Sequence, residues 1–171
     1  QEHFPVPVVF LETRPRREVS VVNVDGRYGS QLAALHLISR GYKKMGVITG
    51  PMTWWSARER LQGWRETMAA AGLKVEERQI SEGNWSTSSG AIGLETLLEN
   101  FPEMDSVFVC NDQMALGVLQ TSRKLGKRVP EDLAVVGYDD IPESAYFWPP
   151  LTTVRQNLMN FGSTAVGLLS Q

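Results

Sequence analysis

Short runs of almost purely apolar residues alternate along this chain with longer segments whose apolar residues recur at helical spacing. Three runs cover residues 45–48, 106–110 and 133–136, and residues 78–81 form a weaker one. Strands that lack an alternation of buried and exposed residues are typical of parallel sheets covered on both faces. The repeated order of strand and helix therefore predicts an α/β fold, with helices on both faces of a parallel sheet.

The segments between the apolar runs are predicted to be helices. The clearest one starts at Ser56, where Ser56 and Glu59 have the spacing of a capping box, and ends before Gly72. Its apolar residues recur every three or four positions and therefore share one face. Further helices are predicted at residues 28–40, 88–100 and 112–125 and from about residue 157, and a further strand at residues 5–11.

The composition suits one globular domain and argues against several functions. The 171 residues are 42% apolar and include five tryptophans, which is enough for a buried core. Seventeen basic and nineteen acidic side chains give a net charge of −2, so these residues themselves are not expected to bind nucleic acid. No apolar run approaches the roughly 18 residues of a membrane span. The single cysteine, Cys110, lies in an apolar run and is predicted to be a buried thiol.

Polar side chains follow the predicted strands at the point where each strand ends. In an open parallel sheet, ligands bind outside the carboxyl ends of the strands. Asn111 and Asp139 each follow an apolar run, Trp85 follows the weaker one, and Arg60 lies in the first turns of the predicted helix. This set suits a small polyhydroxylated ligand, because vicinal hydroxyls pair with the polar groups while a C–H face of the ligand stacks on the indole.

Several neighbouring residues have a structural interpretation that competes with ligand binding. We favour Asp112 as the N-cap of the helix that follows it, Asp140 as part of a turn or cap, and Arg58 as a surface or ion-pair residue. Trp54 and Trp55 are predicted to be an exposed aromatic pair in a loop. They either border the ligand or pack against a neighbouring helix or subunit.

No enzymatic activity is expected, and no catalytic residue, metal site or cofactor is predicted. His3 and His36 lie away from the strand ends. The sequence contains no nucleophile elbow, phosphate-binding glycine loop, dinucleotide-binding motif or Cys/His metal spacing. The remaining enzymatic hypothesis is Mg²⁺-dependent phosphoryl transfer, with Asp139 and Asp140 as the metal ligands.

Several motifs follow one another along most of the chain, from about residue 22 to residue 169. The first lie within residues 24–42 and 48–51. The more specific motifs are ARERLQGW at 57–64, GNWS at 83–86, NDQMALG at 111–117, VPEDLAVVGYDD at 129–140 and PPLTTV at 149–154. In this order the motifs resemble the effector domain of the lactose-repressor family of bacterial transcription regulators.

The resemblance implies a periplasmic-binding-protein-like module of two Rossmann-like lobes joined by a hinge, with the ligand in the cleft between them. It assigns residues 1–22 to a remnant of the first lobe and residues 23–150 to the second lobe. Residues 151–171 become the hinge crossover and a truncated helix of the first lobe. The chain begins at Gln1 without an initiator methionine or a basic leader, so we expect that it was cut from a longer protein.

The resemblance also implies roles for individual residues. The family's ligand arginine, sugar-facing tryptophan, ligand amide and hydroxyl-binding carboxylate fall on Arg60, Trp85, Asn111 and Asp139. Several sugar-responsive members carry an aromatic residue where this chain has Leu158. Glu12 is a further candidate at the rim of the cleft. Asp25 is another, although its interpretation as an N-cap is equally good.

The implied function is that of an effector sensor in a cytoplasmic repressor. A saccharide or similar small polar metabolite would bind between the lobes and change DNA affinity allosterically. Operator DNA would be bound by an N-terminal helix-turn-helix outside this chain, in a homodimer with no membrane partner. The helix at residues 112–125 supports the dimer, because Met114, Leu116, Val118 and Leu119 exceed what one buried face requires. The alternative is a solute-binding receptor of a sugar uptake system.

Overall fold

The computed structural model describes residues 6–170, which form seven strands and five α-helices. Gln1, His3 and the first residue of the predicted strand at 5–11 lie outside the described residues. In chain order the elements are β1 (Val9–Leu11), β2 (Ser20–Val22), α1 (Gly26–Ser39), β3 (Met45–Thr49), α2 (Trp55–Ala70), β4 (Ile80–Glu82), α3 (Thr87–Asn100), β5 (Ser106–Val109), α4 (Asp112–Lys124), β6 (Ala134–Asp139), β7 (Thr152–Arg155) and α5 (Leu158–Leu169).

Five of the strands form one parallel sheet in the order β4-β3-β5-β6-β7. β3 and β5 are buried along their whole length, and β6 is buried except at Asp139. Helix α1 packs against α2, helix α3 packs against α4, and members of both pairs contact the sheet. The predicted α/β fold is confirmed. Its three central strands coincide with the apolar runs because these runs are buried on both faces.

Within each helix pair, the two helices approach closely at glycines, which are Gly63 in one pair and Gly90 and Gly117 in the other. A Cβ at Gly63 would collide with the backbone carbonyl of Arg27 in α1. In the other pair, a Cβ at Gly90 or at Gly117 would collide with the backbone of the opposing helix. Because no side chain larger than hydrogen fits at these contacts, the glycines allow α2 to lie close to α1 and α3 to lie close to α4.

Side chains cap four of the five helices in residues 6–170. Each accepts a hydrogen bond from a backbone N–H of the first turn, and the four caps are Asp25, Ser86, Asn111 and Asn157. The predicted N-cap at Asp112 is therefore wrong, because Asn111 takes that role. Helix α2 starts at Trp55 with Trp54 at the N-cap position, and no side chain caps it. The predicted N-cap at Ser56 is wrong because the N-cap position lies two residues earlier, at Trp54.

A second, smaller parallel sheet consists of β1 and β2, and α5 contacts both strands. The sequence pattern does not predict β2, which has only three residues. β7 pairs with β6 at the edge of the large sheet. The segment 151–171, predicted as a crossover, thus first adds a strand to the large sheet and then a helix to the small one.

The apolar residues of α4 are buried within this chain's own core. Met114, Val118 and Leu119 are buried and Leu116 is half-buried. Helix α4 contacts α3 on one side and β5 and β6 on another, and these two contacts account for the number of apolar positions. The prediction that they mark a dimer face is therefore wrong.

Cys110 is fully buried at the end of β5, as predicted. Burial raises the pKa of its thiol to about 12, so the side chain stays neutral. None of the helices in the described part of the chain is long and apolar enough to cross a membrane.

Candidate functional site

A cleft of about 270 Å³ lies where the carboxyl ends of the large sheet face the small sheet and α5. Most of the lining residues come at a strand end or within three residues after it, as the strand-end rule predicts. The lining residues are Glu12, Val24, Trp54, Ser56, Arg60, Trp85, Asn111, Asp139, Gln156, Leu158 and Phe161.

The structure brings six of the seven predicted site residues to this cleft. The exception is Asp25, whose side chain accepts a hydrogen bond from the Tyr28 backbone at 2.8 Å and caps α1. Glu12 lies at the rim, where its Oε1 accepts a hydrogen bond from the Val24 backbone at 2.7 Å. Leu158 is exposed at the start of α5.

Arg60 is buried in the floor of the cleft with only 7% of its surface exposed. Its guanidinium donates to the carbonyl of Cys110 and lies 3.8 Å from the ring centre of Tyr138. Its Nη2 is 3.6 Å from Asp139 Oδ1, which is too long for a direct hydrogen bond. Its buried Nε has no hydrogen-bond partner among the described residues. Arg60 therefore has hydrogen-bonding capacity left for a ligand.

Asp139 is the carboxylate that faces Arg60, and it is only partly exposed. Burial raises the pKa of Asp139 to about 6, although the Arg60 guanidinium and a hydrogen bond from Gln156 both favour the ionised form. A hydroxyl group placed between Arg60 and Asp139 can accept from the guanidinium and donate to the carboxylate. The pair therefore suits vicinal hydroxyls of a neutral ligand.

Trp85 lies against the end of β3, so that a Cβ at Gly50 would collide with its indole. The Arg60 guanidinium is 5.6 Å from the indole centre, within cation–π range. The buried Nε1–H of Trp85 has no hydrogen-bond partner in the described residues. Buried indole donors normally have a partner, so this N–H is a second unsatisfied donor in a residue that lines the cleft.

Asn111 contributes to the structure of the cleft as well as to its surface. Its Oδ1 accepts from the Met114 backbone at 2.9 Å and its Nδ2 donates to the Trp85 carbonyl at 3.0 Å. The side chain thus caps α4 and fixes the loop that carries Trp85. One N–H of the amide is not used by these two bonds and can face a ligand.

Backbone strain is concentrated around the same cleft. Four non-glycine residues of the described chain have positive φ: Glu12, Trp85, Asp139 and Asp140. Three of them line the cleft, and Asp140 pairs with Arg155 beside it. Unfavourable φ values of this kind persist where the surrounding structure holds a functional geometry in place.

Local sequence reasoning missed four lining residues and left one undecided. Gln156 follows the end of β7 and obeys the strand-end rule, so a prediction of β7 could have found it. Phe161 lies three residues after Leu158 on the same face of α5 and supplies an aromatic ring there. Val24 and Ser56 have no signal of their own. The predicted loop pair of tryptophans instead starts α2, and only Trp54 lines the cleft.

The elevated pKa of Asp139 predicts a distinctive dependence of stability on pH. Between the unfolded value of 3.8 and the folded value of about 6, the folded state holds a proton that the unfolded state has lost. Stability from this group is therefore fully present below pH 3.8 and is lost as pH rises to about 6, by on the order of 3 kcal/mol in total, of which about 2 kcal/mol is lost between pH 4.5 and pH 7.5. The measurement is the free energy of urea unfolding at pH 4.5 and pH 7.5 for the wild type and for Asp139→Asn. A pH dependence that is the same in both proteins contradicts the prediction.

A model of the periplasmic binding protein-like domain matches residues 34–171. The chain belongs to this family. The HTH-type transcriptional regulator CelR of Thermobifida fusca is 39% identical over 155 residues, which are 91% of this chain and 46% of CelR. A transcriptional regulator CelR–cellobiose complex superposes with a TM-score of 0.91 at 37% identity, over 95% of this chain and 50% of that one. The lac repressor dimer bound to operator and an anti-inducer has a TM-score of 0.89 at 33% identity, over 98% of this chain and 58% of that one.

These similarities confirm the resemblance to lactose-repressor family regulators. The relatives are transcriptional regulators, so an uptake receptor is not favoured as the function of this family member. The chain spans about half the length of the curated relatives it matches. Among residues 6–170, no three His, Cys, Asp or Glu side chains are placed to hold a metal ion.

Proposed function

We propose that this chain is the effector-binding part of a bacterial transcriptional repressor that senses a saccharide. The observation that carries the proposal is the joint placement of Arg60, Asp139, Asn111 and Trp85 around one cleft. The Arg60–Asp139 pair suits vicinal hydroxyls, Asn111 offers an amide N–H, and the indole offers an apolar face. Two buried donors in the cleft, Arg60 Nε and Trp85 Nε1, have no partner in the described chain, which supports a polar ligand there.

The cleft has walls from two sheets, and this arrangement supports an allosteric role. Arg60, Trp85 and Asp139 belong to the large sheet and its helices, whereas Glu12 and Phe161 belong to the segments around the small sheet. A ligand that contacts both sides favours one relative arrangement of them over another, in proportion to its difference in affinity for the two arrangements. In this proposal, residues 1–22 belong to the first lobe and residues 23–150 form the second lobe. Residues 151–171 form the crossover between the lobes and a helix of the first lobe, with the hinge at the end of β7.

The remaining parts of the proposal concern the whole protein. Operator DNA would be bound by a helix-turn-helix outside this chain, which agrees with the net charge of −2 of these residues. The protein would be a cytoplasmic homodimer without catalytic activity. The related lac repressor was solved as a dimer on its operator, and CelR was solved with cellobiose. Closure of the cleft would change the spacing of two DNA-binding heads.

Titration calorimetry of the full-length protein with a panel of mono- and disaccharides tests the proposal. We expect at least one sugar to bind and to change operator affinity in a mobility-shift assay. We also expect Asp139→Asn to lower the affinity for that sugar at least tenfold, because an amide nitrogen cannot accept a hydrogen bond from a ligand hydroxyl. Asp132→Asn, on the exposed loop before β6, is the matched control and should leave the affinity unchanged. Binding that survives Asp139→Asn unaltered would overturn the assignment of the cleft.

A further inference from the structure

Trp54 stands at the edge of the cleft, where its placement is unfavourable for the fold alone. It occupies the N-cap position of α2, where Ser, Thr, Asp and Asn are preferred, and it provides no capping hydrogen bond. The other four helices in residues 6–170 have a polar cap at this position. The indole is also 55% exposed, so burial in the core does not explain it. A tryptophan here loses both a cap and most of the benefit of burial.

The loop that carries Trp54 is held rigidly by hydrogen bonds. The Trp54 backbone N–H donates to the Pro51 carbonyl at 2.9 Å. Arg58 Nη1 donates to the carbonyls of Met52 and Thr53 at 2.7 and 2.9 Å. The Met52 N–H in turn donates to Glu82 Oε1 at 2.9 Å. The indole is therefore presented from a fixed backbone, which lowers the entropy lost when a ligand packs on it.

The two tryptophans of the cleft present faces that are nearly perpendicular. Their ring centres are 6.2 Å apart and their planes are inclined at 73°. Trp85 lies deep in the cleft beside Arg60, whereas Trp54 lies at the exposed edge. One sugar ring cannot lie flat on both indoles, since each stacking contact needs the ring parallel to the indole plane. Two rings joined by a flexible glycosidic bond can stack on both.

We infer that Trp54 is the platform of a second subsite, so that the ligand recognised by this cleft is a disaccharide. The inference rests on the proposed function and deepens it. The inner ring packs on Trp85 and bonds to Arg60 and Asp139, and the outer ring packs on Trp54 at the edge. Trp54 then determines how strongly two-ring saccharides are preferred to single sugars.

The test compares disaccharides with their component sugars on the full-length protein by titration calorimetry. The probes are cellobiose and maltose with glucose, and lactose with galactose. For the wild type we expect at least one disaccharide to bind at least tenfold more tightly than its monosaccharide. We expect Trp54→Ala to weaken that disaccharide about tenfold more than it weakens the monosaccharide. Trp54→Phe, which retains an aromatic face, should keep most of the preference.

Trp54→Ser separates recognition from folding. Serine at the N-cap position supplies the missing capping oxygen, which offsets the lost edge-to-face contact with Trp85, so this variant should melt close to the wild-type temperature. It should nevertheless lose the disaccharide preference. Trp148→Ala removes an exposed tryptophan that does not line the cleft, and it should change neither affinity.

The outcomes distinguish this inference from the proposed function. Equal weakening of both sugar classes by Trp54→Ala, or no weakening of either, overturns the second subsite while sugar sensing stands. A wild type that binds monosaccharides more tightly than disaccharides also overturns the second subsite and leaves sugar sensing in place. Failure of every sugar to bind the wild type overturns the proposed function and the second subsite together.

Discussion

Arg60→Ala is expected to weaken effector binding by more than a hundredfold in the full-length protein. The substitution removes the buried guanidinium that faces Asp139 across 3.6 Å and stacks on Tyr138. Each hydrogen bond from a charged donor to the ligand is worth about 1.5–3 kcal/mol of binding free energy, and the Asp139 carboxylate left without its facing cation adds to the loss. Titration calorimetry with the best sugar of the panel measures this loss.

The same substitution should change the titration of Asp139. Because Arg60 favours the ionised carboxylate, its removal should raise the pKa of Asp139 above about 6. Arg60→Lys keeps the positive charge but lacks the planar guanidinium with its paired N–H donors. Compared with Arg60→Ala, it should therefore return the pKa of Asp139 close to its wild-type value but recover less of the sugar affinity. Arg65→Ala, on the exposed side of α2 and paired with Glu77, is the control for loss of an arginine from this helix. Wild-type affinity in Arg60→Ala would show that the ligand does not use this part of the cleft.

The central strands and the helices of this fold could be predicted from local patterns. Residues 45–48 and 106–109 are apolar without alternation because neighbouring strands and helices cover both faces of the sheet, and both runs became strands. Helix boundaries depend on single capping interactions, which sequence patterns specify less well. Asn111 and Asp112 are both good capping residues. Only the packing of Asp112 against Ile141 and Thr153 determines which of them caps α4.

The cleft was predictable to the extent that it depends on strand ends. Arg60, Asn111 and Asp139 could be found because parallel strands bring their carboxyl ends to one edge. The side of the cleft formed by α5 and the small sheet depends on contacts between residues far apart in the chain, which leave no local sequence pattern. Phe161 and Val24 were therefore missed. Asp25 shows an ambiguity that the sequence does not resolve, because a polar residue before a helix is equally suited to a rim and to a cap; in the structure its side chain caps α1.

Asp112→Ala is expected to destabilise the fold by about 2–4 kcal/mol, through the buried hydrogen bonds that it leaves without an acceptor. Asp112 is fully buried at the start of α4. Its two carboxylate oxygens accept from the Ile141 backbone at 2.9 Å and from Thr153 Oγ1 at 2.6 Å. It thereby ties α4 to the segment after β6 and to β7. Urea unfolding followed by circular dichroism should show a lower midpoint.

A double-mutant cycle with Thr153→Val separates the hydrogen bond from other effects of removing a buried carboxylate. Burial raises the pKa of Asp112, while the hydrogen bonds from Thr153 and Ile141 oppose that shift. Burial therefore makes the ionised carboxylate costly, and Asp112→Ala removes this cost together with the hydrogen bonds. If Thr153 acts only through Asp112, the double variant should be no less stable than Asp112→Ala alone. Asp112→Asn retains one acceptor and should fall between the wild type and alanine. Full additivity of the two single substitutions would show that Asp112 does not hold β7 through Thr153.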